Sequence, residues 1–475
     1  MQPTLGHVFA GLTSYDIRGD EPLMSAVVVD SREALPNSLF VALQGEQVDG
    51  HDYAADAFNR GAIAALVERP LNLPAAYIDL TTGDDLAAIA AWSGELPVCL
   101  LVENSVLALQ EAATYWRAKF DLKVIGITGS VGKSSTKELT HAVLSQRYNT
   151  FKSPGNRNSI IGLPAALFDL RPEHERAVLE MGMYSTTEIA RLCEIARPQI
   201  GVVTNIGPAH LERAGSMEKI IAAKRELVEA LPPGGTAILN MDDELVMSMV
   251  PYTSAAIFTY GLDNRADLWA DNIHSMGLDG VSFTLHHGRE DISLSIPLLG
   301  RHSVHTALRA TAVGLVDGLS WPEIVAGLSS AGAAQFRIDA VPGPRGSTII
   351  DDTYNSSPDS ALAALNLLAE LDGRRIAVLG DMLELGSVEE KSHRLVGRRA
   401  ADVADILVAV GPRARIMAEE AQQIGMDAGR IIWVSETPQA IPVLEELIGD
   451  NDMILIKGSL GMGMDRIVTA LGRVD

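Results

Sequence analysis

With 475 residues, 47% of them hydrophobic, the chain can bury several cores, and its length predicts roughly three domains of a multidomain globular protein. A formal charge of −23 argues against a general nucleic-acid or acidic-membrane surface, since both need an excess of Lys and Arg; an anionic substrate must meet local positive charge. Cys99 and Cys193 are too few for a disulfide framework or a cysteine-built zinc site, the start Met1-Gln-Pro-Thr-Leu-Gly-His7 has no basic segment leading into an apolar one, and no later run is fit to span a bilayer, so a cytoplasmic protein without membrane insertion is expected.

From Ala26 to about Val102 short apolar strands (Ala26–Val29, Ser38–Leu43, Ala64–Val67) and small helices such as Ala54–Gly61 read as a small α/β domain. A helix from Val106 to about Phe120 leads into the strand Val124–Thr128, after which Ala177–Glu180, Ile200–Thr204 and Thr236–Asn240 alternate with helical stretches. That alternation predicts a mostly parallel sheet covered by helices. Between Asp267 and Pro297 the segments Gly280–Leu285 and Ile292–Ile296 alternate apolar and polar residues, which predicts a small antiparallel appendage. After helices His305–Asp317 and Pro322–Leu328 the pattern restarts at Ser347–Ile350, Arg375–Leu379, Ile406–Val410, Ile431–Val434 and Met453–Ile456, a second, Rossmann-like doubly wound unit beginning between Ser329 and Phe336. The expected fold class is α/β, with domains 1–104, 105–332 and 333–475.

The strand ending at Thr128 runs straight into Gly129-Ser130-Val131-Gly132-Lys133-Ser134-Ser135. Glycines that can take positive φ let successive N–H groups converge on phosphate oxygens at a helix N-terminus, so Thr128 through Ser135 are the expected nucleotide contacts. Lys133 would place a mobile charge on the outer phosphates and Ser134 a hydroxyl on magnesium. Counting back from Gly132 puts Ile127 where the pattern G-x-x-x-x-G-K-[ST] wants its first glycine, so the loop is a variant. ATP and Mg2+ are the expected cofactors.

Ligand residues in open α/β sheets collect at the carboxyl ends of strands, where Glu180, Asn205, His210, Asp351 and Asp352 fall. Glu180 and His210 could join Ser134 around magnesium, although spacing alone suits a hydrogen-bonded structural histidine equally well. Lys224, inside Ile220–Leu227, reads as a solvated helix lysine. The polar turn Asp352-Thr-Tyr354-Asn355-Ser-Ser-Pro358 holds acids that could be caps or ribose and magnesium contacts, and Lys457-Gly-Ser459 closes the last strand in the same way. Cations of a separate domain reach the phosphates only when the domains close.

Taken in order, these segments resemble the Mur ligase family over nearly the whole chain. The likeness is carried by Asp30-Ser31-Arg32, Leu39–Gly45 and Asp49-Gly-His51; by Thr128–Glu138, Asn156-Arg-Asn158, Glu180-Met-Gly182, Thr204–Glu212 and Gly215–Glu226; and by Asp351–Pro358, Gly380–Gly386, His393 and Lys457-Gly-Ser459. The resemblance implies Ser31 and Arg32 near a UDP group, and Asn158, Tyr354, Asn355 and Lys457 at the substrates. It also implies Ser134, Glu180 and His210 on magnesium, Arg337 and Asp352 on the nucleotide, and Lys224 as a carbamylated lysine able to hold a second magnesium, with Lys133, Lys224 and His210 catalytic. The implied activity is ATP-dependent amide ligation by a monomer in peptidoglycan precursor synthesis. A carboxylate of UDP-MurNAc-tripeptide would become an acyl phosphate, and the amine of D-alanyl-D-alanine would then displace phosphate.

Several positions depart from the family pattern. Ser134 replaces a usual Thr and keeps the hydroxyl; Ser159 replaces a second consecutive Asn; Ser303 and Thr306 stand where Asn is usual; Leu460 stands where Arg is common. A Mur-type ligase of different specificity, or a nucleotide-binding partner that has lost catalysis, would accommodate these changes. Retention of Lys133, Glu180, His210 and Lys224 argues against the second.

Overall fold

The structure, a computed structural model, describes residues 1–45, 48–209, 211–330 and 339–472. Near the N-terminus five short strands lie side by side, all parallel, in the order Val27–Val28, Leu39–Val41, Ala64–Val67, Val98–Leu101, Ala76–Asp79. Ala64–Val67 is buried at every residue, as a central parallel strand covered on both faces must be. Ala76–Asp79 and the helix Leu5–Leu12 have too few residues for a readable period, and the sequence pattern did not resolve them. Next comes the helix Ser105–Arg117, which starts where Asn104 accepts the Leu107 N–H at 2.9 Å.

The second sheet has nine strands, in the order Glu290–Ile296, Val281–His287, Leu268–Ser275, Ala256–Gly261, Thr236–Asn240, Ile200–Val203, Lys123–Thr128, Arg176–Glu180, Thr150–Lys152. The antiparallel segment expected at 267–297 is present, not as a separate lobe but as a prolongation of this sheet. Its first strand pairs in parallel with Ala256–Gly261 through Tyr260 and Gly261, and only the last two pairings are antiparallel. In the third sheet the order is Asp339–Pro342, Thr348–Asp352, Met453–Lys457, Arg375–Gly380, Ile406–Val410, Ile431–Val434, parallel except for the first. That first strand was not anticipated; a Pro at its end suits an edge, where no ladder donor is needed.

Leu5, Leu39, Leu66, Trp116, Leu163 and Leu227 belong to one continuous core that runs from beneath the five-stranded sheet to one face of the nine-stranded sheet. A second core, with Ile125, Val143, Phe283 and Val304, fills the other face. The third sheet has an apolar layer on each side, and among their buried members only Leu299 comes from an earlier part of the chain.

At the amino ends of the central strands, Asp317 is wholly buried and binds Lys123 Nζ at 2.6 Å and Arg176 Nε at 2.5 Å. The Arg176 guanidinium also lies 3.7 Å from the Tyr148 ring centre. Removing this carboxylate strands two cations with no compensating charge. Asp317→Ala is expected to lose about 3 kcal/mol of stability, read from the denaturant midpoint, while the activity of the folded fraction is unchanged.

Candidate active site

All three chemistry-bearing strand ends of the central sheet open on the same edge. Lys123–Thr128 lies between Arg176–Glu180 and Ile200–Val203, so the loop after Thr128, the carboxylate of Glu180 and the turn after Val203 come together there. Gly129 and Gly132 take φ of +140° and +83°, values that a side chain would strain. The turn after Val203 holds the loop in shape. Ser130 and Val131 donate their N–H groups to the Asn205 carbonyl and side-chain oxygens at 2.9 Å each, Thr204 Oγ1 donates to the Val131 carbonyl at 2.7 Å, and Ser130 Oγ accepts the Gly207 N–H at 2.8 Å. Those two loop donors shape the loop, and the start of helix Lys133–Leu144 lies directly after it, where a helix N-terminus suits a phosphate.

Ser134 Oγ donates to Glu180 Oε2 at 2.5 Å, and Asn158 Nδ2 to Glu180 Oε1 at 2.8 Å. Glu180 is 1% exposed, and its own N–H is held by Ser153 Oγ. Among the described residues no group of three or more His, Cys, Asp or Glu side chains could hold a metal by itself. One carboxylate and one hydroxyl are a poor cage for a tightly held ion but suit magnesium, which keeps water and phosphate oxygens in its shell.

Lys224 lies on the helix Met217–Glu229 and is buried, not solvated as its sequence context suggested. Its Nζ donates to the Gly129 carbonyl at 2.9 Å, the same oxygen that receives Lys133 Nζ at 2.9 Å. Desolvation first, and the neighbouring Lys133 charge second, push the Lys224 amine well below the usual lysine range. The shift favours the unprotonated amine, the form that can attack carbon dioxide.

The C-terminal sheet brings its own strand ends to this edge. Lys457 Nζ donates to Asp352 Oδ2 at 2.6 Å and to the Asn355 carbonyl at 2.9 Å, with both charged groups buried. Between this pair and the phosphate loop lies a cleft of about 1170 Å³, lined by Ser130 to Ser135, Glu180, Asp352, Tyr354, Asn355 and Lys457, and on a third side by 297–306. A second cleft, of about 1230 Å³, is lined by Lys133, Asn158, Ser159, Glu180, Lys224, Tyr354, Asn355 and Leu460. The two share Lys133, Glu180, Tyr354 and Asn355, and so meet there. Thr128 and Gly129 form the floor of the loop and line neither cleft. Ser31 and Arg32 sit apart in the N-terminal region, where the exposed Arg32 pairs with Asp30 at 2.5 Å and holds that carboxyl at about 2. His210 and Arg337 fall outside the described residues.

Sequence reasoning missed two cations that shape the loop. Arg309 is buried and donates to Thr136 Oγ1 at 3.0 Å and to the Tyr260 hydroxyl at 2.9 Å, behind the helix that starts at Lys133. Lys137 is 1% exposed, and its Nζ donates to the Ser153 and Gly155 carbonyls at 2.9 and 2.7 Å, fixing the turn that leads to Asn158. Each stands on the core-facing stripe of its helix, and a charge at such a position was the available signal. Ser159 accepts the Gly162 N–H at 3.1 Å and so acts as a turn cap.

Three Mur ligase profiles match in order along the chain: Mur ligase family, catalytic domain over residues 24–96; Mur ligase middle domain over 127–314; and Mur ligase, glutamate ligase domain over 336–460. The UDP-N-acetylmuramoyl-tripeptide--D-alanyl-D-alanine ligase of Synechocystis sp. is 34% identical over 469 residues, covering 96% of this chain and 93% of its own length. The Escherichia coli ligase of the same name is 34% identical, covering 96% and 95%. Among solved structures, MurF from Acinetobacter baumannii superposes with a TM-score of 0.82 at 29% identity over 98% of this chain and 97% of its own. The Thermotoga maritima MurF ligase in complex with ADP gives 0.76 at 26% identity over 94% and 97%. Matched from end to end by such relatives, the chain belongs to the Mur ligase family.

Proposed function

We infer that the protein is an ATP-dependent peptide ligase that joins D-alanyl-D-alanine to UDP-MurNAc-tripeptide through an acyl phosphate, in peptidoglycan precursor synthesis. One observation carries this reading: the two clefts meet at Lys133 and Glu180, so the last phosphate of a nucleotide in the first would face an acceptor in the second. A carboxylate is a poor nucleophile toward an anionic phosphate and a poor acyl group toward an amine, and both defects are overcome by charge placed at that junction. Lys133 leaves the Gly129 carbonyl to follow the transferring phosphoryl group, and the helix-start N–H groups hold the phosphates behind it. Ser134 and Glu180, with His210, would hold magnesium, which supplies Lewis-acid neutralisation of the phosphate oxygens.

Lys224, once its unprotonated amine, the form that burial favours, has added carbon dioxide and released a proton, presents a carboxylate to the second cleft. Asn158, Tyr354 and Asn355 orient the acceptor, Lys457 fixes Asp352 toward the nucleotide together with Arg337, and Ser31 and Arg32 meet the UDP end. Closure of the C-terminal domain over both clefts excludes water from the acyl phosphate, which hydrolysis would otherwise consume. The chain works as a cytoplasmic monomer of three domains, 1–104, 105–332 and 333–475. No helix among the described residues is long and apolar enough to cross a membrane.

Phosphate release from ATP and magnesium, measured with UDP-MurNAc-tripeptide and either D-alanyl-D-alanine or single amino acids, tests this reading when the product is identified by mass. A pentapeptide formed only with the dipeptide is expected. Turnover with another amine would move the specificity, and no turnover with any acceptor would leave a binding protein.

A further inference from the structure

We propose that Arg309 is a positioning residue for the nucleotide phosphates: its buried charge, passed through Thr136 to the peptide that joins Gly132 to Lys133, strengthens the N–H that opens the phosphate helix. The proposal rests on the nucleotide-binding part of the ligase reading and adds a residue that lines neither cleft. Arg309 stands on the helix Ser303–Val316 and is buried. Its contacts are neutral, Nη1 to Thr136 Oγ1 and Nε to the Tyr260 hydroxyl, and among the described residues no carboxylate forms an ion pair with it. Asp242 and Asp243, whose charges bear on Tyr260, are engaged elsewhere, Asp242 with His305 Nε2 and Asp243 with the Ile206 N–H, each at 2.8 Å.

The guanidinium lies directly behind the loop, where a Cβ placed on Gly132 would stand 2.8 Å from Arg309 Nη1. That placement works against the empty protein. A cation beside the first turn of a helix meets the positive end of the helix dipole, and Lys133 opens the same turn. Burial of a charge without a counter-ion is disfavoured further. An anion at the helix start relieves both. Thr136 Oγ1, which accepts from Arg309, donates its own proton to the Gly132 carbonyl at 2.6 Å, where the Thr136 N–H joins it at 3.0 Å. In a planar trans peptide the carbonyl and the following N–H point opposite ways, so the Gly132 oxygen faces into the helix and the Lys133 N–H faces its open end. Donors drawing on that oxygen polarise the peptide and make the N–H a stronger donor, and a charged first member strengthens the whole chain. Tyr260 fixes the guanidinium in this direction, because its hydroxyl accepts from Nε and donates to the Thr204 carbonyl at 3.0 Å, in the turn that also shapes the loop.

The test is equilibrium binding of ADP without magnesium, and of adenosine, which has base and ribose but no phosphate, to the native chain, Arg309→Met, Arg309→Lys and Thr136→Val. Arg309→Met fills the space without the charge; it is expected to weaken ADP by about tenfold and adenosine by less than about threefold, with the denaturant midpoint of the nucleotide-free protein no lower than native. Arg309→Lys keeps the charge without the fork and should bind ADP within about threefold of native. Thr136→Val leaves the charge and cuts the relay, and should weaken ADP by about threefold while adenosine is unaltered. A residue that only packs the loop would lower the midpoint when replaced by Met and would not be rescued by Lys. That pattern, equal losses for ADP and adenosine, or native ADP affinity in Arg309→Met or Thr136→Val, overturns the proposal. If Arg309→Met does not fold, Arg309→Lys and Thr136→Val decide by the same criteria. A native chain that binds ADP but ligates nothing would sink the ligase reading and leave this proposal to these affinities; a native chain that binds no ADP overturns the proposal.

Discussion

Lys224→Met turns over about a thousandfold more slowly than the native chain and yet unfolds at a higher temperature. Activity falls because the variant lacks the amine that takes up carbon dioxide, and with it the anionic group facing the second cleft. Stability rises because burial disfavours the charged lysine, whereas a methionine of similar length fills the same space without that cost. Nor does the Gly129 carbonyl become an orphan, since Lys133 Nζ still donates to it at 2.9 Å. The gain is about 1–2 kcal/mol at pH 7 in buffer freed of carbon dioxide. Its pH dependence has a definite sign. The folded-state pKa lies below the unfolded one, so between the two the unfolded chain binds the extra proton and native stability climbs with pH. The advantage of the variant therefore shrinks toward pH 10. Native enzyme stripped of carbon dioxide loses activity and recovers it with bicarbonate; a Lys224→Met protein as active as native, or less stable at pH 7, would sink this account.

Glu180→Gln is the second large effect, with kcat lowered about a thousandfold and the fold kept. Gln retains the shape, the Ser134 hydroxyl can rotate, and Asn158 can turn its amide so that an acceptor meets the new donor, so both contacts to Glu180 survive in altered polarity. Stability should change by no more than about 1 kcal/mol. What disappears is the negative charge beside Ser134. The magnesium concentration for half-maximal activity is therefore expected to rise at least tenfold, while nucleotide binding measured without magnesium is unaltered. A variant within tenfold of native kcat would show that Glu180 serves only to hold Ser134 and Asn158 in place.

How much of this was legible beforehand follows from how local the determinants are. The phosphate loop was readable because Gly129 and Gly132 impose backbone geometry with no help from distant residues. Likewise the strands of the C-terminal sheet are continuous apolar runs, the mark of parallel strands covered on both faces. The pairing of Leu268–Ser275 with Ala256–Gly261 was not readable, because a strand's period says which face is apolar and nothing about its neighbour. Lys224 was misjudged for a similar reason. Its helix is amphipathic, but that it turns Lys224 inward, beneath Gly129, depends on a contact 95 positions away in sequence. Arg309 and Lys137 are of the same kind, cations whose partners are loop carbonyls or hydroxyls brought near only by the fold.

The apolar layer that runs without a break from the five-stranded to the nine-stranded sheet determines where this polypeptide can be divided. Severed after residue 104, the N-terminal piece would bare Leu5, Leu39 and Leu66, whose companions Trp116, Leu163 and Leu227 lie beyond the cut, and both fragments would be prone to aggregate. Severed between 330 and 339, each fragment keeps its own apolar layers, apart from the lodging of Leu299 in the C-terminal core and the packing of Val388 on the first. Exchange of C-terminal segments between related chains, by recombination or in the laboratory, is thus mechanically simple, whereas a new N-terminal segment has to arrive together with the central one.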